Sequence, residues 1–301
     1  MKREHTATRK KDAARWLRRN VLRILLMVIV LTVVVVICRA CRSTQETEQV
    51  QALVLFREQP SEEIPELKER KVAVEEIVQQ PLTKAETLIE VPYINQQDYF
   101  PTGCEVVSGT MLLNFFGYDF TADDMVDDYL VMADLEIGDN GEIQCVTPYD
   151  AFIGNPRNPE SYGCFAPVIV DMLNQAVDNK VHTAYDLTGV SLDVLESNFL
   201  QNDIPVAVWV TICMLEPYPS TSWQVTGTDE EFTWPAQEHC MVLVGYDEDY
   251  YYFNDPYGGN GTVAYGRELT EARYEALGQQ AVVLLPKDRQ ESLLYGDAVS
   301  E

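Results

Sequence analysis

Histidine is scarce in this chain: three residues among 301, namely His5, His182 and His239. The seven cysteines contain no C-x-x-C pair apart from Cys38 and Cys41 beside an apolar run. The spacing of a structural zinc site is therefore missing. Basic residues are also few beyond the N-terminus. From residue 43 onward there are 11 Lys and Arg against 46 Asp and Glu. A region that acidic repels phosphate, so nucleic acid is excluded as a partner. The acidic stretch 119–142 lacks the D-x-D-x-D-G spacing of a calcium loop and reads as a solvated helix face. No internal repeat or low-complexity tract stands out, and no motif calls for a cofactor or metal. With 46% hydrophobic residues the chain can bury a sizeable core.

The first 42 residues are of opposite charge, with 11 Lys and Arg against Glu4 and Asp12. Val21 to Cys38 is apolar except for Arg23, which can snorkel to an interface. Either a signal peptide or a membrane anchor fits. Cys38-Arg39-Ala40 is a poor cleavage site, which favours an uncleaved anchor over residues 21–38. Lipid modification of Cys41 is a lesser alternative. The basic flank keeps the N-terminus inside and the acidic bulk outside. The expected layout is a cytoplasmic tail over 1–20, the anchor over 21–38, a Gln- and Glu-rich stalk over 39–86, a folded domain over 87–286, and a tail over 287–301. Five cysteines, from Cys104 onward, then lie in the folded domain outside the membrane. The pairing of Cys145, Cys164, Cys213 and Cys240 is left open.

The domain is organised around Pro101-Thr102-Gly103-Cys104-Glu105 and the apolar run through Phe116. Pro101 and Gly103 break what precedes, and Gly117 stops a helix that is apolar on nearly every side. Cys104 at its start meets unpaired N–H groups that favour a thiolate. By position alone it is either a core residue or a nucleophile. Further helices are expected over 166–177, after Ser191 and over 271–278. Strands are expected at 87–92, 205–212, 240–246, 250–254, 263–265 and 281–285, with loops over 147–167 and 215–237. A hairpin turning about Asp247 sets His239 directly opposite Asp255, with Cβ atoms ~5 Å apart on one face. Asp255 can then fix the His239 tautomer, leaving one ring nitrogen for a thiol. Cys104, His239 and Asp255 together are what thiol acyl transfer needs, and an amide N–H from Gln96 or Gln97 can serve the oxyanion.

The runs V-P-Y-I-N-Q, P-T-G-C-E, E-H-C-M-V-L-V-G-Y-D and F-N-D-P resemble those of stand-alone relatives of the bacteriocin-processing, double-glycine-leader cysteine peptidases of the papain-like superfamily. The resemblance covers residues 88–285. It implies an α+β papain-like fold, with a Cys-bearing central helix on an antiparallel sheet that bears His and Asp. It makes Cys104 the nucleophile, His239 the base, Asp255 the orienting residue and Gln96 the oxyanion donor. Peptides or amides are the implied substrates. The family's defining members are fused to a transporter, and no such domain occurs here, so their substrate does not carry over. Two other readings stand beside this one: a catalytically idle binding domain, and an acyltransferase or cell-wall amidase on the same residues. Trp223, Trp234 and Tyr257 either line a groove or support the core.

Overall fold

The computed structural model describes residues 77–97, 99–138, 141–177 and 181–296. The expected basic tail, the anchor over 21–38 and most of the stalk lie outside them. Among the described residues, no helix is long and apolar enough to cross a membrane. Helix α1 (Cys104–Phe115) runs through the core, and every residue from Cys104 to Leu113 is buried. Close packing needs Gly109. A Cβ there would lie 3.1 Å from Met172 Cε and 3.3 Å from Ile169 Cγ2. The acidic stretch forms α2 (Ala122–Asp128), closed by a capping box between Thr121 and Asp124. Arg157 binds Asp123 and Asp127 on its outer face. Helix α3 (Ala166–Val177) holds the Met172 and Ile169 side chains against α1.

Among the described residues, thirteen strands form three sheets. In chain order they are β1 (Thr87–Leu88), β2 (Met132–Ala133), β3 (Glu136–Ile137), β4 (Ile143–Cys145), β5 (Phe152–Ile153), β6 (His182–Asp186), β7 (Val206–Thr211), β8 (Tyr218–Val225), β9 (Glu231–Ala236), β10 (Glu238–Tyr246), β11 (Tyr250–Asp255), β12 (Gly261–Gly266) and β13 (Ala281–Pro286). The main sheet runs β12-β11-β10-β7-β13-β6, antiparallel throughout, with β1 also on β10. Strands β7 and β10 are buried over their whole length, which explains the apolar runs 206–210 and 240–244 within them. The expected α+β architecture therefore holds. Helix α4 (Arg267–Ala276) precedes β13, and a short helix α5 (Gln290–Tyr295) follows it.

The hairpin register differs from the expected one. The turn closes around Glu248 and Asp249, where Asp247 Oδ1 accepts from the N–H groups of Asp249 and Tyr250. Tyr246 pairs with Tyr251 and Gly245 with Tyr252. A bulge then shifts the register, so that Leu243 pairs with Phe253 and Val242 with Asn254. Continued along the strands, this sets Met241 opposite Asp255. His239 is then a diagonal neighbour on the same face, not the directly opposed partner.

The segment 215–237, expected as a loop, is instead the β8–β9 hairpin of a second sheet ordered β3-β4-β8-β9. Its tryptophans are core residues. The Trp234 ring stacks on Phe165 at 5.7 Å, and Trp223 meets Phe232 at 4.9 Å. Both are buried, so neither lines an open groove. The packed unit also passes the expected edges at 87 and 286. Val78 N–H donates to Leu294 O, and Asn198 Nδ2 donates to Val78 O and Leu293 O. Leu293 and Leu294 are buried, which a solvated tail would not do. His182 lies on β6 with Nδ1 2.9 Å from the Tyr118 hydroxyl. The five described cysteines are all free thiols.

Candidate active site

Cys104 is the first residue of α1, and Gly103 before it offers no side-chain cap. The N–H of Cys104 is thus left for another acceptor. The thiol does not profit from it at rest. It is 5% exposed and donates to Glu105 Oε2 at 3.4 Å. Burial above all, then the nearby Glu105 and Glu238 carboxyls, hold its pKa well above the ordinary thiol value. The thiolate anticipated from the helix start is outweighed by desolvation.

Glu105 is fully buried. Its Oε1 accepts the Cys164 N–H at 2.7 Å, and burial raises its pKa to about 7. The backbone wraps it closely: a Cβ on Gly163 would fall 2.2 Å from Oε1. Glu238 at the start of β10 is also buried. Its pKa is raised well above the ordinary value, first by burial and then by Glu105, and its Oε1 has no hydrogen-bond partner. Cys104 Sγ, one oxygen of Glu105 and one of Glu238 all lie within 4.8 Å of one another.

His239, next along β10, alternates to the other face of the strand and meets Asp255. Its Nε2 lies 2.7 Å from Asp255 Oδ1, and both side chains are 2% exposed. Asp255 is clamped further by the Tyr257 N–H on Oδ1 and by Asn260 Nδ2 on Oδ2, each at 2.9 Å. Burial pushes its pKa up, but the His239 hydrogen bond and charge, with Asn260 and the Tyr257 amide, bring it below the ordinary value. A carboxylate acceptor selects the imidazole tautomer with its proton on Nε2, which leaves the Nδ1 lone pair as the basic site. Among the described residues, no hydrogen bond joins Cys104 Sγ to His239. The half-exposed Tyr257 ring stands edge-on to the imidazole, with centroids 6.0 Å apart.

Gln96 and Gln97 face apart. Gln97 is exposed, whereas Gln96 is buried. Gln96 Nε2 donates to the carbonyls of Phe100 at 3.2 Å and Pro101 at 3.3 Å, bracing the turn into α1, while its Oε1 has no partner. Its backbone N–H donates to Pro256 O at 3.0 Å, which ties this loop to the residue after Asp255.

The Peptidase_C39 like family model matches residues 88–282. This chain belongs to that family. The matched stretch holds Gln96, Cys104, His239 and Asp255. The protein YvpB of Bacillus subtilis (strain 168) is 30% identical over 199 residues, which cover 65% of this chain and 75% of YvpB. The crystal structure of a putative C39-like peptidase from Bacillus anthracis superposes with a TM-score of 0.58 at 24% identity. It covers 68% of this chain and 99% of that one. A double-glycine-motif protease in complex with its leader peptide is 15% identical with a TM-score of 0.38, covering 69% of this chain and 99% of that one. The family and the fold support a cysteine peptidase.

Sequence reasoning assigned no role to Glu105, Glu238 or Asn260. The first two carried a signal. Each is a lone acidic residue at the head of an otherwise apolar run, where an ionised carboxyl is rarely buried without a partner. Asn260 carried none, because only the fold of the 257–260 turn brings it to Asp255.

Proposed function

We propose that this chain is a membrane-anchored cysteine peptidase or amide hydrolase, with residues 21–38 as a single span, the N-terminus cytoplasmic and the folded domain outside. The observation that carries the reading is the buried His239–Asp255 pair at 2.7 Å, in a C39-like chain whose α1 presents Cys104 and an uncapped N-terminus. His239 Nδ1 takes the Cys104 proton as the sulfur turns from Glu105 toward the imidazole. Asp255 stabilises the imidazolium, and the thiolate attacks the substrate carbonyl. The N–H of Cys104 stabilises the oxyanion, joined by the Gln96 amide as it exchanges a bond to the Phe100 or Pro101 carbonyl for the substrate oxygen. His239 then protonates the leaving amine, and water releases the acyl group.

One observation favours the idle binding domain. The thiol rests on Glu105 with its pKa raised and makes no hydrogen bond to His239. Labelling of the full chain with a thiol-directed acyl probe separates the two. An active enzyme labels at Cys104, loses the label in His239→Ala, and cleaves members of a peptide library. No labelling and no cleavage would leave only the binding domain. Adding an amine acceptor to the acylated enzyme distinguishes a hydrolase from an acyltransferase.

A further inference from the structure

We propose that Cys104, Glu105 and Glu238 form a binding site for a thiophilic divalent cation of the zinc class. Their three ligand atoms come from the first turn of α1 and the head of β10, and all lie within 4.8 Å of one another. The Cys104 Sγ to Glu105 Oε2 separation is 3.4 Å. Two ligands bound tetrahedrally at about 2.3 Å for sulfur and 2.0–2.2 Å for oxygen stand roughly 3.5 Å apart, so this pair already has the required bite. The two carboxyls are buried, and among the described residues neither forms an ion pair. They do not hydrogen-bond each other either, so no proton is shared directly between them. One ion between the three groups would draw them in to bonding distance, since none of the three atoms is more than 4.8 Å from another. Glu238 Oε1 is the independent pointer: it belongs to a side chain 8% exposed and has no partner.

Binding would displace the thiol proton and any carboxyl protons to solvent and set three anionic ligands around a doubly charged ion. Water can take the fourth position. No electron is transferred. Occupancy does not depend on the chain being a peptidase. Its consequence, reversible blocking of the nucleophile, does rest on that reading.

The test is a cobalt(II) titration of the reduced, chelator-treated full chain in detergent, read by thiolate-to-cobalt absorption in the near ultraviolet. A band saturating at one ion per chain is expected. It should be lost in Cys104→Ser and weakened about tenfold or more in affinity in Glu238→Gln and Glu105→Gln. Zinc should displace the cobalt and slow iodoacetamide alkylation of Cys104, and chelator should restore it. If Glu238→Gln does not fold, Glu238→Asp keeps the charge but shortens the reach, and should weaken the band. No band at saturating cobalt, as when only a water bridges the groups, overturns the proposal. So does a band that survives Cys104→Ser. If cobalt binds as expected but the metal-free, reduced chain cleaves no peptide, the peptidase reading fails while the metal site stands.

Discussion

Gly245→Ala tests how the segment carrying Gln96 is attached to the sheet. A Cβ at 245 would lie 2.1 Å from Thr87 O and 3.0 Å from Leu88 Cα, all backbone, so no side-chain rotation relieves it. Strand β1 must move by about 1 Å to restore contact distance. That shift breaks the 2.7 Å bond from Ile89 N–H to Val244 O and disturbs the Leu88–Gly245 pairing. Two backbone hydrogen bonds contribute about 1 kcal/mol each, and part of the burial of Ile89 and Val91 is lost with them, at roughly 1.5–3 kcal/mol per fully buried side chain. The expected loss is about 2–4 kcal/mol. An alanine in an unobstructed strand would instead gain about 0.5–1 kcal/mol over glycine, so the sign alone discriminates. For a domain of this size the loss lowers Tm by roughly 5–15 °C. Thermal unfolding measures it, and hydrogen exchange locates it: the Ile89 amide should lose protection while the β7–β10 ladder keeps its own. A Tm at or above the parent value, with Ile89 still protected, would refute the reasoning.

Further outcomes follow from the site. Peptide turnover should fall almost to background in His239→Ala, while Asp255→Asn retains some activity; equal turnover in Asp255→Ala and the parent would remove the orienting role. Gln96→Ala should lower kcat by about a hundredfold while Gln97→Ala is nearly silent. A fall in Tm without a selective fall in kcat would instead leave Gln96 as a brace of the turn before α1. The Asp255 pKa is depressed from an ordinary value of 3.8. Its contribution to stability is therefore present above that pH and is lost as pH falls through the folded-state value. Below about pH 4 the parent should lose stability more steeply than Asp255→Asn, as seen in urea unfolding at stepped pH; parallel profiles would contradict the depressed pKa.

The sequence alone determined the elements whose burial is complete. Helix α1 and strands β7 and β10 are written as mainly apolar runs, and Ala166–Val177 is a helix at the very residues expected. It also brought His239 and Asp255 to one face of a hairpin, because side-chain alternation has a period of two and survives an even shift in register. The shift is the sum of two features: the turn, which closes at Glu248 and Asp249 and moves the pairing by three, and the bulge beside Gly245, where β1 also pairs, which takes one back and so restores the common face. Local patterns also could not show that the 218–236 segment pairs into a second sheet, since its alternation is broken by Pro219 and Pro235 and its tryptophans find their partners only across the fold. The state of the thiol was decided last and only in three dimensions. A helix start favours a thiolate by a local field, but whether that field prevails depends on how much water remains. Here the packed core removes the water and sets the carboxyl of the distant Glu238, with that of the adjacent Glu105, near the sulfur, and desolvation outweighs the helix terminus.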